Sequence, residues 1–184
     1  MKNGKIYEEV TMAGFGGQGI LVIGKLLAQA AMKSGLEVTY MPSYGAEVRG
    51  GTANCMIIVG EEPIACPIIS RPDALIAMNE ASLRRFLPRV KSGGLLVLNR
   101  SLISSRPDRT DLMVVSIPAD EIAVGLKNVR SANMAALGAY LRYRTYLKPD
   151  EVIRCLPDIF SRRHQKLLPV NEEAIRRGFE FARQ

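Results

Sequence analysis

Apolar and polar positions along this chain follow two rhythms in turn, one of period two and one of helical period. Val10-Thr11-Met12-Ala13 has the alternation of a strand and runs straight into a glycine-rich turn. Ile20, Ile23, Leu27, Ala28 and Ala31 then recur at helical spacing, with Lys25, Gln29 and Lys33 on the opposite face, which predicts a helix over 20–34. Gly35 suits the position just past that helix, where a positive φ is needed. Strands are expected at 36–41, ended by Pro42, and at 56–59, 73–78, 95–99 and 112–116. Between and after them helices are expected at 80–87, capped by Asn79, then at 119–126, 133–146, 151–159 and 171–182. This alternation reads as an α/β fold: one doubly wound, mostly parallel, Rossmann-like sheet with helices on both faces.

Composition changes that picture little. A chain of 184 residues, 47% hydrophobic and 23% charged, with no repeat and no linker-like tract, is read as a single domain over 1–184. The residues from Met1 to Val10 have no apolar run of signal-peptide type, and no stretch approaches about 18 apolar residues, so the chain is expected in the cytoplasm and off the membrane. Cys55, Cys66 and Cys155 form no closely spaced pair, which argues against a zinc site, an iron–sulfur cluster or a disulfide framework. All three are expected to be free thiols, buried or half-buried. A net charge of +7 points to an anionic partner, but the cations are scattered and no nucleic-acid motif accompanies them. No metal site and no nucleic-acid partner are expected.

Gly14, Gly16 and Gly19 satisfy the spacing G-x-G-x-x-G between a strand and a helix, with Gly17 and Gln18 inside the loop. Such a loop either presents backbone N–H groups and a helix N-terminus to an anion or a partner, or merely permits tight packing. NAD binding would need a carboxylate at the end of the second strand, and this strand ends in Tyr40-Met41-Pro42, with Glu37 at its wrong end. A second glycine-rich segment runs from Ser43 through Tyr44, Glu47, Arg49, Gly50 and Gly51 to Thr52. Arg49 could hold a carboxylate or phosphate by its planar fork, or could form an ion pair with Glu47 or another subunit. His164, alone in a basic run, reads as a surface residue, and Asn133 reads first as a helix cap.

Ala13 to Ile20 (AGFGGQGI), Pro42 to Thr52 (PSYGAEVRGGT) and Ser131 to Gly138 (SANMAALG) together resemble the gamma subunit, or gamma domain, of 2-oxoacid:ferredoxin oxidoreductases. The resemblance extends to about residue 145, and the tail with Cys155 and His164 matches nothing in it. It implies a subunit of a complex that decarboxylates a 2-oxoacid on thiamine diphosphate, forms an acyl-coenzyme A and passes electrons through iron–sulfur clusters to ferredoxin. Thiamine diphosphate, magnesium and the clusters would lie on partner subunits, with none of them bound by this chain alone. Coenzyme A would be the co-substrate. No catalytic residue is expected here; Gly14, Gly16, Gly17, Gln18, Gly19, Ser43, Tyr44, Glu47, Arg49, Gly50, Gly51, Thr52 and Asn133 are expected as binding or interface residues. Among substrates, 2-oxoglutarate or a branched-chain oxoacid is favoured over pyruvate. The alternatives are a stand-alone Rossmann-type nucleotide-binding protein and a non-enzymatic interaction module.

Overall fold

A computed structural model describes residues 5–43 and 52–182. Its six strands are β1 (Tyr7–Phe15), β2 (Glu37–Ser43), β3 (Thr52–Gly60), β4 (Ala74–Ala77), β5 (Leu95–Asn99) and β6 (Met113–Ile117). They form one sheet in the order β2-β3-β1-β4-β5-β6. β1, β4, β5 and β6 pair in parallel. β3 runs against both β1 and β2, so the sheet is mixed, with one reversed strand. That reversal refines the expectation of a simple parallel alternation. Only residues 44–51 separate β2 from β3, and a parallel neighbour needs a crossover of about a dozen residues or more. β2 also continues through Pro42, which an edge strand tolerates because one row of its N–H groups has no ladder partner.

The helices are α1 (Ile20–Lys33), α2 (Glu80–Phe86), α3 (Ala119–Gly125), α4 (Ala132–Tyr143), α5 (Pro149–Ile153), α6 (Leu156–Ile159) and α7 (Leu168–Phe181). α1 ends as the sequence predicts: Gly35 has φ 81°, and Leu36 N–H reaches back to the Ala31 carbonyl. The expected helix 151–159 is broken into two short pieces, and α7 starts three residues earlier than its pattern suggests. Helices cover both faces unequally. The larger core packs α1, α4 and α7 against Val10, Met12, Ile57, Ile76 and Val97. The smaller one sets Leu83 and Phe86 of α2 against Ala13, Leu75, Ala77 and Leu96 on the other pleat.

α4 is buried nearly all round, from Ala132 to Leu141, because β strands lie on one side and α7 on the other. The crossing of α4 and α7 is close enough that a Cβ on Gly138 would overlap the Ile175 carbonyl, and one on Gly178 the Ala135 carbonyl. Two glycines facing each other's helix therefore set the distance at which the C-terminal part of the chain docks. Among the described residues no helix is long and apolar enough to cross a membrane. Cys55 and Cys155 are buried, but Cys66 is exposed, which corrects the expectation for that thiol. It lies in the proline-rich segment between β3 and β4, outside either core.

Candidate functional site at the carboxyl edge of the sheet

β1 delivers the chain to the carboxyl edge at Phe15, and the loop folds back at once: Gln18 N–H donates to the Phe15 carbonyl at 3.1 Å. Gly19 is the N-cap of α1, in the left-handed region at φ 71° and ψ 26°, where a side chain would be strained. A Cβ there would also strike the Asn133 carboxamide. Since Gly19 has no side chain and the first turn holds no acidic residue, the N-terminus of α1 keeps the positive end of its dipole uncompensated by side chains.

The first and third segments that carry the resemblance meet here with the two ends of the second. Phe15 pairs with Thr52 and Gly14 with Ala53, which joins the first segment to the end of the second. Ser43, at the last position of β2, pairs with Asn54 one strand further out. Asn133 closes the third side. It is 4% exposed, its Nδ2 donates to the Gly19 carbonyl at 2.9 Å, and its Oδ1 accepts from Met134 N–H at 2.9 Å. So Asn133 is a bridge across 114 residues of chain and not the cap of its own helix. Gly16 and Gly17 are exposed on the rim. Tyr44, Glu47, Arg49, Gly50 and Gly51 lie outside the described residues.

Beside the loop is a cavity of about 360 Å³ whose walls include Gly17, Gly19, Arg130, Asn133, His164 and Asn171. Arg130 and Asn171 carry no signal in the sequence, and His164 reads there as a surface residue. Arg130 is exposed, and its guanidinium has no ion-pair partner among the described residues. His164 turns Nδ1 toward the Ser161 hydroxyl at 3.0 Å, and its other ring nitrogen has no hydrogen-bond partner among the described residues. Asn171 is 4% exposed, and its carboxamide has no hydrogen-bond partner among the described residues. An uncapped helix start, a guanidinium, an imidazole and an amide line this pocket, a set that could hold an anionic, hydrogen-bonding group.

A second cavity, of about 430 Å³, opens at the opposite edge. Its charges are spent on one another. Lys91 pairs with Glu9 at 2.5 Å and Asp73 at 2.8 Å, and Arg144 with Glu8 at 2.5 Å. Burial pushes the Glu8 carboxyl above its ordinary range, against the pull of the Arg144 guanidinium. Among the described residues no group of His, Cys, Asp and Glu could hold a metal ion.

Sheet, loop and cavity define a Rossmann-like α/β domain with a glycine loop at the carboxyl edge of its sheet. The chain belongs to the pyruvate ferredoxin/flavodoxin oxidoreductase family, whose model matches residues 9–181. It is 34% identical to ketoisovalerate oxidoreductase subunit VorA of Methanothermobacter marburgensis over 95% of its own length, and it spans only 36% of that relative. With 2-oxoglutarate synthase subunit KorC of Methanocaldococcus jannaschii the identity is 28%, over 98% of this chain and 96% of the relative. Among solved structures, 2-oxoglutarate:ferredoxin oxidoreductase from Magnetococcus marinus, with 2-oxoglutarate, coenzyme A and succinyl-CoA bound, matches with a TM-score of 0.86 at 27% identity, over 96% of this chain and 31% of that one. The gamma subunit of a keto/oxoacid ferredoxin oxidoreductase from Geobacter sulfurreducens matches with a TM-score of 0.82 at 23% identity, over 95% of this chain and 98% of that one.

Proposed function

We propose that this chain is the gamma-type subunit of a 2-oxoacid:ferredoxin oxidoreductase, and that its carboxyl edge faces the subunits that carry the chemistry. The complex would decarboxylate a 2-oxoacid on thiamine diphosphate, transfer the acyl group to coenzyme A and send the electrons through iron–sulfur clusters to ferredoxin. Thiamine diphosphate with its magnesium, and the clusters, are assigned to partner subunits in this reading. The observation that carries the reading is the meeting of three distant segments at one edge, through Phe15 with Thr52, Ser43 with Asn54, and Asn133 on Gly19.

In this reading the cavity beside the loop takes the phosphorylated end of coenzyme A. Gly17 and Gly19 offer the start of α1, Arg130 the positive charge, His164 a ring nitrogen, and Asn171 a donor and an acceptor. In this reading the subunit binds and orients, and proton transfer is left to its partners. A 2-oxoglutarate or branched-chain oxoacid substrate is favoured over pyruvate, in keeping with the names KorC and VorA among the relatives. The rival reading, a stand-alone NAD-binding protein, lacks its carboxylate: the carboxyl end of β2 is Tyr40-Met41-Pro42-Ser43.

Reconstitution tests the proposal. The thiamine and iron–sulfur subunits, assayed with and without this chain against a panel of 2-oxoacids, should reduce ferredoxin in the presence of coenzyme A only when it is present. Arg130→Ala should raise the KM for coenzyme A about tenfold or more, the cost of one charge-assisted hydrogen bond at roughly 1.5–3 kcal/mol. Full activity without the chain, or a micromolar Kd for NAD on the isolated chain (about −8 kcal/mol), would turn the assignment to the rival.

A further inference from the structure

Gln18 lies in the middle of the glycine loop, where its polar side chain reads from sequence as a ligand or partner contact. The side chain turns inward instead. Its Oε1 accepts from the Phe15 backbone N–H at 2.6 Å and from Asn79 Nδ2 at 3.3 Å, and its Nε2 donates to the Met78 carbonyl at 3.3 Å. Asn79 is 2% exposed, and with its Oδ1 it caps α2 by accepting from Ser82 N–H at 2.8 Å. One carboxamide thus joins the end of β1, the end of β4 and, through Asn79, the start of α2. Gly14 makes room for it, since a Cβ there would sit 2.6 Å from Gln18 Oε1 and 2.7 Å from Ile20 Cδ1.

We propose that Gln18 is a positioning residue: with Asn79 it holds the glycine loop in the shape that coenzyme A meets, and it does not itself touch the ligand. The inference rests on the reading that the carboxyl edge receives coenzyme A. The physical reason is the geometry of the loop. Phe15 is the last residue of β1, and its N–H is held by a side chain from its own loop. Without that acceptor the end of the strand and the start of α1 have one fewer tie fixing their relation. Asn133 restrains the loop from the α4 side, and Gln18 restrains it from the β4 side.

The test uses two variants and two readouts. In the reconstituted complex, Gln18→Leu should raise the KM for coenzyme A roughly tenfold, the loss of one to two neutral hydrogen bonds, with kcat nearly unchanged. Gln18→Glu keeps the acceptor toward Phe15 and Asn79 and should fall between Gln18→Leu and wild type. In the isolated full-length chain, amide exchange at Phe15 should speed up at least about tenfold in Gln18→Leu, while Val10 to Ala13 keep their protection. Unchanged exchange at Phe15 would overturn the tether itself. Faster exchange with both kinetic constants unchanged would show that the loop is not the surface that meets coenzyme A, and would overturn the reading beneath the inference. A fall in kcat alone would overturn the positioning role, by placing Gln18 at the chemistry.

Discussion

Asn133, Gln18 and the three cysteines show how far single residues could be read from the sequence. Asn133 was legible as a residue that matters and illegible in its role, because its partner, the Gly19 carbonyl, is 114 residues away. His164 and Asn171 were out of reach for the same reason. Nothing local distinguishes an amide in a helix from one that walls a cavity beside another helix's first turn. The cysteines differ by burial, which sequence only samples through averages. Burial pushes the Cys55 thiol up to about 12 and raises Cys155 as well, while Cys66 is exposed. A raised thiol pKa leaves less of the reactive thiolate at a given pH. A thiol reagent at pH 8 should therefore titrate Cys66 quickly in the native chain, and all three thiols only after denaturation. Fast modification of Cys55 would contradict its place beneath α1.

At the scale of elements, positions were more legible than directions. β5 and α1 fall almost where their periodicity puts them. β3 was found, but its reversal was read only from the structure, although the connection of residues 44–51, too short for a crossover, was visible throughout. The closeness of α4 and α7 was invisible, because Gly138 and Gly178 are ordinary helix glycines until their partners are known. Each lies against a backbone carbonyl of the other helix, which cannot give way as a flexible side chain would. Gly138→Ala and Gly178→Ala should each destabilise the chain by ~1–3 kcal/mol or more, as overpacking does. Gly125→Ala is the control. At the end of α3 its Cβ meets nothing nearer than Arg177 Nη1 at 4.0 Å, and it should be neutral or mildly stabilising. Urea unfolding of the three variants measures this; equal midpoints for all of them would mean that the crossing can relax.

For the whole molecule, the sequence supplied the class of fold and the family, because three short segments in the right order are specific where one glycine loop is not. The resemblance read from sequence stops at about residue 145, but the family model matches through residue 181, and the tail builds one wall of the candidate site through His164 and Asn171. Purified alone, the chain should contain no stoichiometric iron or sulfide and should reduce no ferredoxin with any 2-oxoacid. Elemental analysis and a dye-coupled assay check both, and stoichiometric iron would place a cluster where the thiols offer no ligand set. The long reach of Asn133 also bears on the order of events during synthesis. β1, α1, β2 and β3 all lie within the chain up to Gly60, and their pairing can be complete while the rest is still being made. The carbonyl of Gly19 already accepts from Val22 and Ile23 N–H within α1, and its tie to Asn133 comes from a residue that leaves the ribosome far later, at the start of α4. The working edge is thus among the first parts of the chain to appear and among the last to be fastened, and a nascent chain halted before residue 133 would carry the glycine loop without its clamp.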